Sequence, residues 1–137
     1  MTTVYYELRA QDIMQTEIVT ILSDLSVADA ALLMKREGIR SLLVEKDDPG
    51  DAYGIITYTD IVSKVLSYGL DPAEITVAEV MTKPLVVVNP TLSVRHIAAL
   101  FQRTGIGHAP VISNHQLVGM VSKTDLIVEV IGNPTLD

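Results

Sequence analysis

The sequence predicts an α/β (α+β) fold built as two tandem repeats, each a small sheet with two helices. Three observations carry that reading. Met14 to Val44 lies on Met81 to Val111 without a gap, so the chain is written twice. Both copies hold apolar residues at helical spacing after a Ser-Val start, and both follow a glycine with short β-prone runs.

The self-match is positional: Leu25-Ser26-Val27 falls on Leu92-Ser93-Val94, Arg36 on Arg103, Gly38-Ile39 on Gly105-Ile106 and Val44 on Val111. After a turn of slightly different length, Gly54-Ile55-Ile56-Thr57-Tyr58-Thr59-Asp60 meets Gly119-Met120-Val121-Ser122-Lys123-Thr124-Asp125. Within each copy, Ser26 and Ser93 suit an N-cap because a serine oxygen can accept an otherwise unpaired backbone N–H, and Asp29 suits the positive end of the helix dipole. Val27, Ala30, Ala31 and Met34, like Val94, Ile97, Ala98 and Phe101, form the apolar stripe, and Gly38 and Gly105 supply the left-handed stop. Antiparallel strand pairs are expected at Arg40–Glu45 with Ala52–Thr57 and at His108–Ser113 with Gln116–Ser122. Helices are expected over Asp60–Tyr68 and Asp125–Ile131, with Gly69 and Gly132 as stops, and extended segments over Glu17–Leu22 and Leu85–Asn89. Thr2 to Leu8, with Tyr5 and Tyr6, reads equally as strand or helix.

The repeats divide the chain into 1–70, with the N-terminal segment, and 71–137, with the connector. Pro72 and the capping-box spacing of Thr76-Val77-Ala78-Glu79 predict short helical pieces in that connector, and Ile75, Val77, Val80 and Met81 give it apolar surface to bury.

A chain of 137 residues, 48% hydrophobic and 4% aromatic, supports an aliphatic core shared by two small halves. The absence of cysteine excludes a disulfide framework, a thiolate nucleophile and a cysteine zinc site. A net charge of −7 argues against nucleic acid as a partner, because duplex binding depends on clustered Lys and Arg. No stretch reaches the roughly 20 apolar residues of a membrane span, so no membrane insertion and a cytoplasmic location are expected. His96 and His115 lack the partners of a metal site, and Asp47–Asp51 reads as a solvated turn rather than a calcium loop. No catalytic residue is expected: the chain has neither a Gly-x-Ser-x-Gly elbow nor a P-loop.

The methionine before each copy, the Ser-Val helix start, the Gly-Ile before a strand and the Gly-h-h-Ser/Thr-x-Thr-Asp ending together resemble the cystathionine-β-synthase (CBS) domain family over nearly the whole chain. The resemblance implies a Bateman module, in which two repeats pack pseudo-symmetrically through their sheets and adenosine ligands occupy the clefts. The ligand expected is an adenine nucleotide, AMP first, then ADP or ATP, with S-adenosylmethionine as a further candidate. Pro110 keeps the family's proline in the second strand where the first repeat has Leu43, and Arg40-Ser41 stands where the second repeat has Gly107-His108.

Two readings fit Thr57-x-Thr59-Asp60 and Ser122-x-Thr124-Asp125. A hydroxyl followed three residues later by an acid is an ordinary helix cap; equally, hydroxyls and N–H groups at a helix start can meet phosphate while the aspartate accepts from a ribose diol. Both can hold together. Carried over residue by residue, Thr57, Thr59 and Asp60 would serve one site and Ser122, Thr124 and Asp125 the other. The adenine is expected between Thr20-Ile21 and Ile39, or Val87-Val88 and Ile106. Arg40, His108 and, more weakly, Lys123 are the local cations that phosphate would require in an acidic protein.

The function expected from this is a stand-alone regulatory module that binds the nucleotide in the cleft between the two repeats and transmits energy or metabolite status to an unidentified, separate target protein. The alternative is a ligand-free dimerisation or interaction scaffold. The family's habit of pairing and the apolar helices imply a homodimer.

Overall fold

The computed structural model of the protein describes residues 8–83 and 86–131. Its elements are α1 (Ala10–Ile13), β1 (Thr20–Ile21), α2 (Val27–Glu37), β2 (Ser41–Val44), β3 (Gly54–Thr57), α3 (Tyr58–Lys64), α4 (Val77–Val80), α5 (Val94–Thr104), β4 (His108–Ser113), β5 (Gln116–Ser122) and α6 (Lys123–Asp125). A 3₁₀ turn, Leu66–Tyr68, follows α3, and a π-helical segment, Leu126–Ile131, follows α6.

Helices α2 and α5 begin and end where the residue chemistry places them. Ser26 Oγ accepts the Asp29 N–H at 3.0 Å, while Asp29 Oδ2 accepts the Ser26 N–H at 3.2 Å. Ser93 Oγ accepts the His96 N–H at 3.3 Å. Gly38 and Gly105 close the two helices at φ 68° and 71°, the left-handed region that costs glycine no Cβ clash. Of the apolar stripes, Val27, Ala30 and Met34 in α2 and Val94, Ile97 and Phe101 in α5 are buried, whereas Ala31 is half-buried and Ala98 is exposed.

Compact packing divides the chain differently from the repeat boundary at 70/71. One unit is Val19–Leu85; the other joins the chain up to Ile18 with the chain from Val86 onward. The reason is visible in the hydrogen bonds of the segment that precedes each repeat. In the first unit Val77 N–H donates to Leu25 O at 2.8 Å, Ala78 N–H to Ser23 O at 2.9 Å, and Val27 N–H to Ile75 O at 2.8 Å. In the second, Ala10 N–H donates to Leu92 O at 2.8 Å, Gln11 N–H to Pro90 O at 3.0 Å, and Val94 N–H to Leu8 O at 2.9 Å. The connector therefore completes the first repeat, and the N-terminal segment completes the second. Helix α1, which the sequence reading did not assign, is the counterpart of α4.

In the first unit β1 runs parallel to β2, and β2 antiparallel to β3. The core there gathers Ile21, Val27, Ala30, Met34, Leu42, Val44, Ile56, Val65, Val77 and Val80. In the second unit β4 and β5 pair antiparallel, with Val88 bridging Val111 on one side and Gln15 bridging Met120 on the other. Its core gathers Ala10, Ile13, Val88, Val94, Ile97, Phe101, Ala109, Val111, Val121 and Val130.

Both expected C-terminal helices are altered. The Asp60–Tyr68 helix starts earlier, at Tyr58, and gives way after Lys64 to the 3₁₀ turn, closed by Gly69 at φ 67°. The Asp125–Ile131 helix starts at Lys123 and widens into the π-helical segment. Gly132, Leu85 and residues 2–7 lie outside the described residues.

Asp51, in the β2–β3 turn, forms an ion pair with Lys83. The Lys83 ammonium, helped by the Ala52 N–H, holds the Asp51 carboxyl below its ordinary value. What this pair adds to stability is present above the ordinary carboxylate range and is lost as pH falls through the depressed value.

The lead-in segments also explain two glycines. A Cβ on Gly54 would lie 2.7 Å from Met81 Sδ and 3.3 Å from Thr82 O. One on Gly119 would lie 2.5 Å from Met14 Sδ and 3.1 Å from Gln15 O. Bidirectional backbone bonds fix that approach: Ile55 with Thr82 at 3.0 and 2.9 Å, Gln15 with Met120 at 2.9 Å each way. Gly119→Ala is expected to cost about 1–3 kcal/mol through overpacking. Gly50→Ala, where an added Cβ meets nothing within 4 Å, should leave the urea midpoint nearly unchanged, so equal midpoints for the two variants would contradict this packing.

Candidate functional site

In both units a β-strand runs directly into a helix, and the Ser/Thr-x-Thr-Asp element occupies that junction. A helix leaves its first N–H groups without intrahelical partners. Thr57 Oγ1 accepts the Asp60 N–H at 3.1 Å; in return Asp60 Oδ2 accepts the Thr57 N–H at 3.0 Å and the Thr57 hydroxyl at 3.1 Å. Ser122 and Asp125 make the same three bonds, at 3.2, 2.8 and 3.0 Å. The capping reading is thus realised in both copies.

The remaining carboxylate oxygens differ. Asp60 Oδ1 is 3.2 Å from Lys64 Nζ, and Lys64 also donates to Val80 O at 2.9 Å, tying α3 to α4. Asp125 Oδ1 accepts from Gln15 Nε2 at 3.0 Å, and Asp125 is 7% exposed, the one buried charged residue among those described. The Asp60–Lys64 pair was legible as an i, i+4 spacing. Gln15 carried no comparable signal, because its partner is 110 residues away.

Strand register brings the proposed cations to these junctions. Tyr58 N–H donates to Arg40 O at 3.0 Å, and Ser41 pairs with Thr57, so exposed Arg40 sits beside the first turn of α3. Lys123 N–H donates to Gly107 O at 2.9 Å, and His108 pairs with Ser122. The stem of Lys123 lies along Gly107, where an added Cβ would be 3.3 Å from Lys123 Cδ. Thr59 and Thr124 are exposed on the first helical turn, and their hydroxyls take no part in the capping bonds.

The proposed adenine positions are more scattered. Ile39 packs against the core of its unit, and half-buried Ile106 donates its N–H to Thr104 Oγ1 at 3.3 Å. Thr20 pairs with Leu43 on the far side of β2 from β3, and its hydroxyl donates to Glu45 Oε1 at 3.3 Å. It lines a hollow of about 440 Å³ with Ile21, Leu25, Asp29, Arg36 and Glu45 rather than meeting Thr57. Val87 is exposed, beside Val88 on the far side of β4 from β5. Each proposed set therefore falls within one compact unit, with hydroxyl, carboxylate and cation adjacent and the β1-side residues one strand removed. Among the described residues no cluster of three His, Asp or Glu is arranged to hold a metal, and no helix is long and apolar enough to cross a membrane.

A tandem pair of small α/β repeats with duplicated strand-to-helix caps is the class of protein that this architecture defines. The family model of the CBS domain matches residues 10–67 and 77–132, and the chain belongs to that family. It is 30% identical to the CBS domain-containing protein YhcV of Bacillus subtilis over 90% of this chain and 86% of that one. An uncharacterised protein of Methanopyrus kandleri is 29% identical over 85% of this chain, which spans 59% of its length. Among solved structures, the hexameric CBS-CP12 protein from bloom-forming cyanobacteria superposes with a TM-score of 0.86 at 46% identity, covering 93% of this chain and 75% of that one. The CBS domain pair of protein MJ0100, solved in complex with 5′-methylthioadenosine and S-adenosyl-L-methionine, superposes at 0.76 with 28% identity, covering 90% and 95%.

The unequal carboxylate environments make a prediction. Asp125→Ala removes a cap and leaves the Gln15 amide without its acceptor, so it should cost about 1–3 kcal/mol. Asp60→Ala, whose lost ion pair is more accessible, should cost less; urea denaturation of the two variants checks the order.

Proposed function

We propose that the chain is a non-catalytic regulatory module that takes an adenosine-containing ligand at its strand-to-helix junctions, AMP first and then ADP, ATP or S-adenosylmethionine. One observation carries this reading. In each unit two hydroxyls and a carboxylate lie on or next to the first turn of a helix, and strand register sets the backbone of a basic residue, Arg40 or His108, beside it; there a phosphate would gain N–H and cationic partners and a ribose diol an acceptor. Capping needs only one hydroxyl and one carboxylate. The second hydroxyl, Thr59 or Thr124, is surplus to it.

The relative solved with methylthioadenosine and S-adenosylmethionine supports an adenosine ligand. Occupancy would act by favouring one arrangement of the protein over another, and a partner protein would read that arrangement, since a ligand shifts an equilibrium only by its differential affinity. Self-association, as a homodimer, belongs to the same proposal. The exposed apolar residues Val62 and Leu66 and the hexameric cyanobacterial relative support assembly. A ligand-free scaffold is favoured by one fact, that the capping bonds of both junctions are complete without a ligand.

Isothermal titration with AMP, ADP, ATP and S-adenosylmethionine separates the two. Binding is expected from at least one of them, weakened about tenfold by Thr59→Ala or Thr124→Ala, the value of a lost hydrogen bond to a charged group. Because neither hydroxyl caps its helix, the thermal midpoint of the unliganded protein should stay nearly unchanged. Absence of heat from every ligand with folded protein would establish the scaffold instead.

A further inference from the structure

In the second unit Arg9, Arg95 and His96 stand around one hollow of about 530 Å³, whose lining also includes Asn89, Thr91 and Ser93. Among the described residues no acidic side chain lines it, in a chain of net charge −7. Among the described residues none of the three basic side chains has a salt-bridge partner. The nearby Asp12 carboxylate is held by the Arg9 backbone N–H at 2.8 Å.

The hollow is ordered by its own hydrogen bonds. Arg9 Nη1 donates to Thr91 O at 2.5 Å, which fixes the guanidinium over the turn that precedes α5. Asn89 Oδ1 accepts from the Thr91 N–H at 3.0 Å and from the Thr91 hydroxyl at 2.9 Å, and His96 Nδ1 lies 2.9 Å from Ser93 Oγ. The three basic groups come from two separate stretches of chain, so their convergence follows from the fold and not from one run of sequence.

Stability alone would put different residues here. The first repeat holds Asp24, Ala28 and Asp29 at the positions of Thr91, Arg95 and His96, and Asp29 completes the capping box with Ser26. In the second repeat that carboxylate is absent, and Arg95 and His96 occupy the first turn of α5, where the helix dipole disfavours positive charge. A departure from local stability rules that no ion pair among the described residues offsets is the pattern of a functional position.

The geometry points to a second binding site, for the phosphate group of a small molecule, formed by Arg9, Arg95 and His96. Two guanidinium groups supply the planar donor pairs that bind phosphate oxygens, and the imidazole supplies a third donor. The site shares no residue with the adenosine-ligand positions, so either can exist without the other.

The test is a titration of ¹⁵N-labelled protein with inorganic phosphate and, separately, with ribose 5-phosphate, replacing chloride at constant ionic strength. The amide signals of Arg95 and His96 are expected to move saturably in the wild type. The affinity should fall about tenfold in Arg95→Ala, the value of one charge-assisted contact. His96→Asp restores the first repeat's capping box: it should raise the thermal midpoint of the unliganded protein while weakening phosphate binding. Tighter binding of ribose 5-phosphate would identify an organic phosphate as the ligand, and equal binding would show that the phosphate alone is recognised. No saturable shift with either probe, or a response unchanged in both variants, overturns the proposal.

Discussion

A strand that runs straight into a helix exposes backbone N–H groups that the helix cannot satisfy, and in this protein one hydroxyl and one carboxylate answer that demand twice. The reciprocal bonds between Thr57 and Asp60, and between Ser122 and Asp125, fix where β3 and β5 end. The pairing of β2 with β3 and of β4 with β5 sets the backbone of Arg40 and His108 beside the helix starts. The carboxylates then reach outward to hold further chain, Lys64 and through it Val80 in one case, Gln15 in the other. A cap typically contributes about 0.5–2 kcal/mol. Here the same junctions carry the residues of the proposed ligand site.

The second organising constraint is the exchange of lead-in segments. Each repeat is completed by the segment preceding the other, and the methionine of that segment lies over a glycine that has no room for a side chain. That arrangement links the two units along the chain, because the connector that carries α4 completes the first unit and then leads covalently into the second.

Much of this was legible in the sequence. Ser26, Ser93, Gly38 and Gly105 marked α2 and α5 because cap chemistry is local, and the two strand pairs followed from β-prone runs between turns. The duplication itself extends further back than Met14. Leu8, Ala10, Ile13 and Met14 answer Ile75, Val77, Val80 and Met81, but these share apolar character more than identity, so α1 carried little signal. The exchange of segments was invisible for a different reason: it rests on bonds such as Ala10 to Leu92 and Gln15 to Asp125, whose partners are far apart in sequence. For the candidate site, the duplicated motif exposed the junction residues directly. The β1-side positions Thr20 and Val87 rest on family resemblance, and strand pairing sets them one strand further away.

The central claim is that each junction serves both as a helix cap and as the receptor for an adenosine ligand. Mapping AMP onto the backbone amides of ¹⁵N-labelled protein tests it most directly. Saturable shifts that include residues 57–60, residues 122–125, or both are what the account predicts; saturable binding that leaves both junctions undisturbed would contradict it.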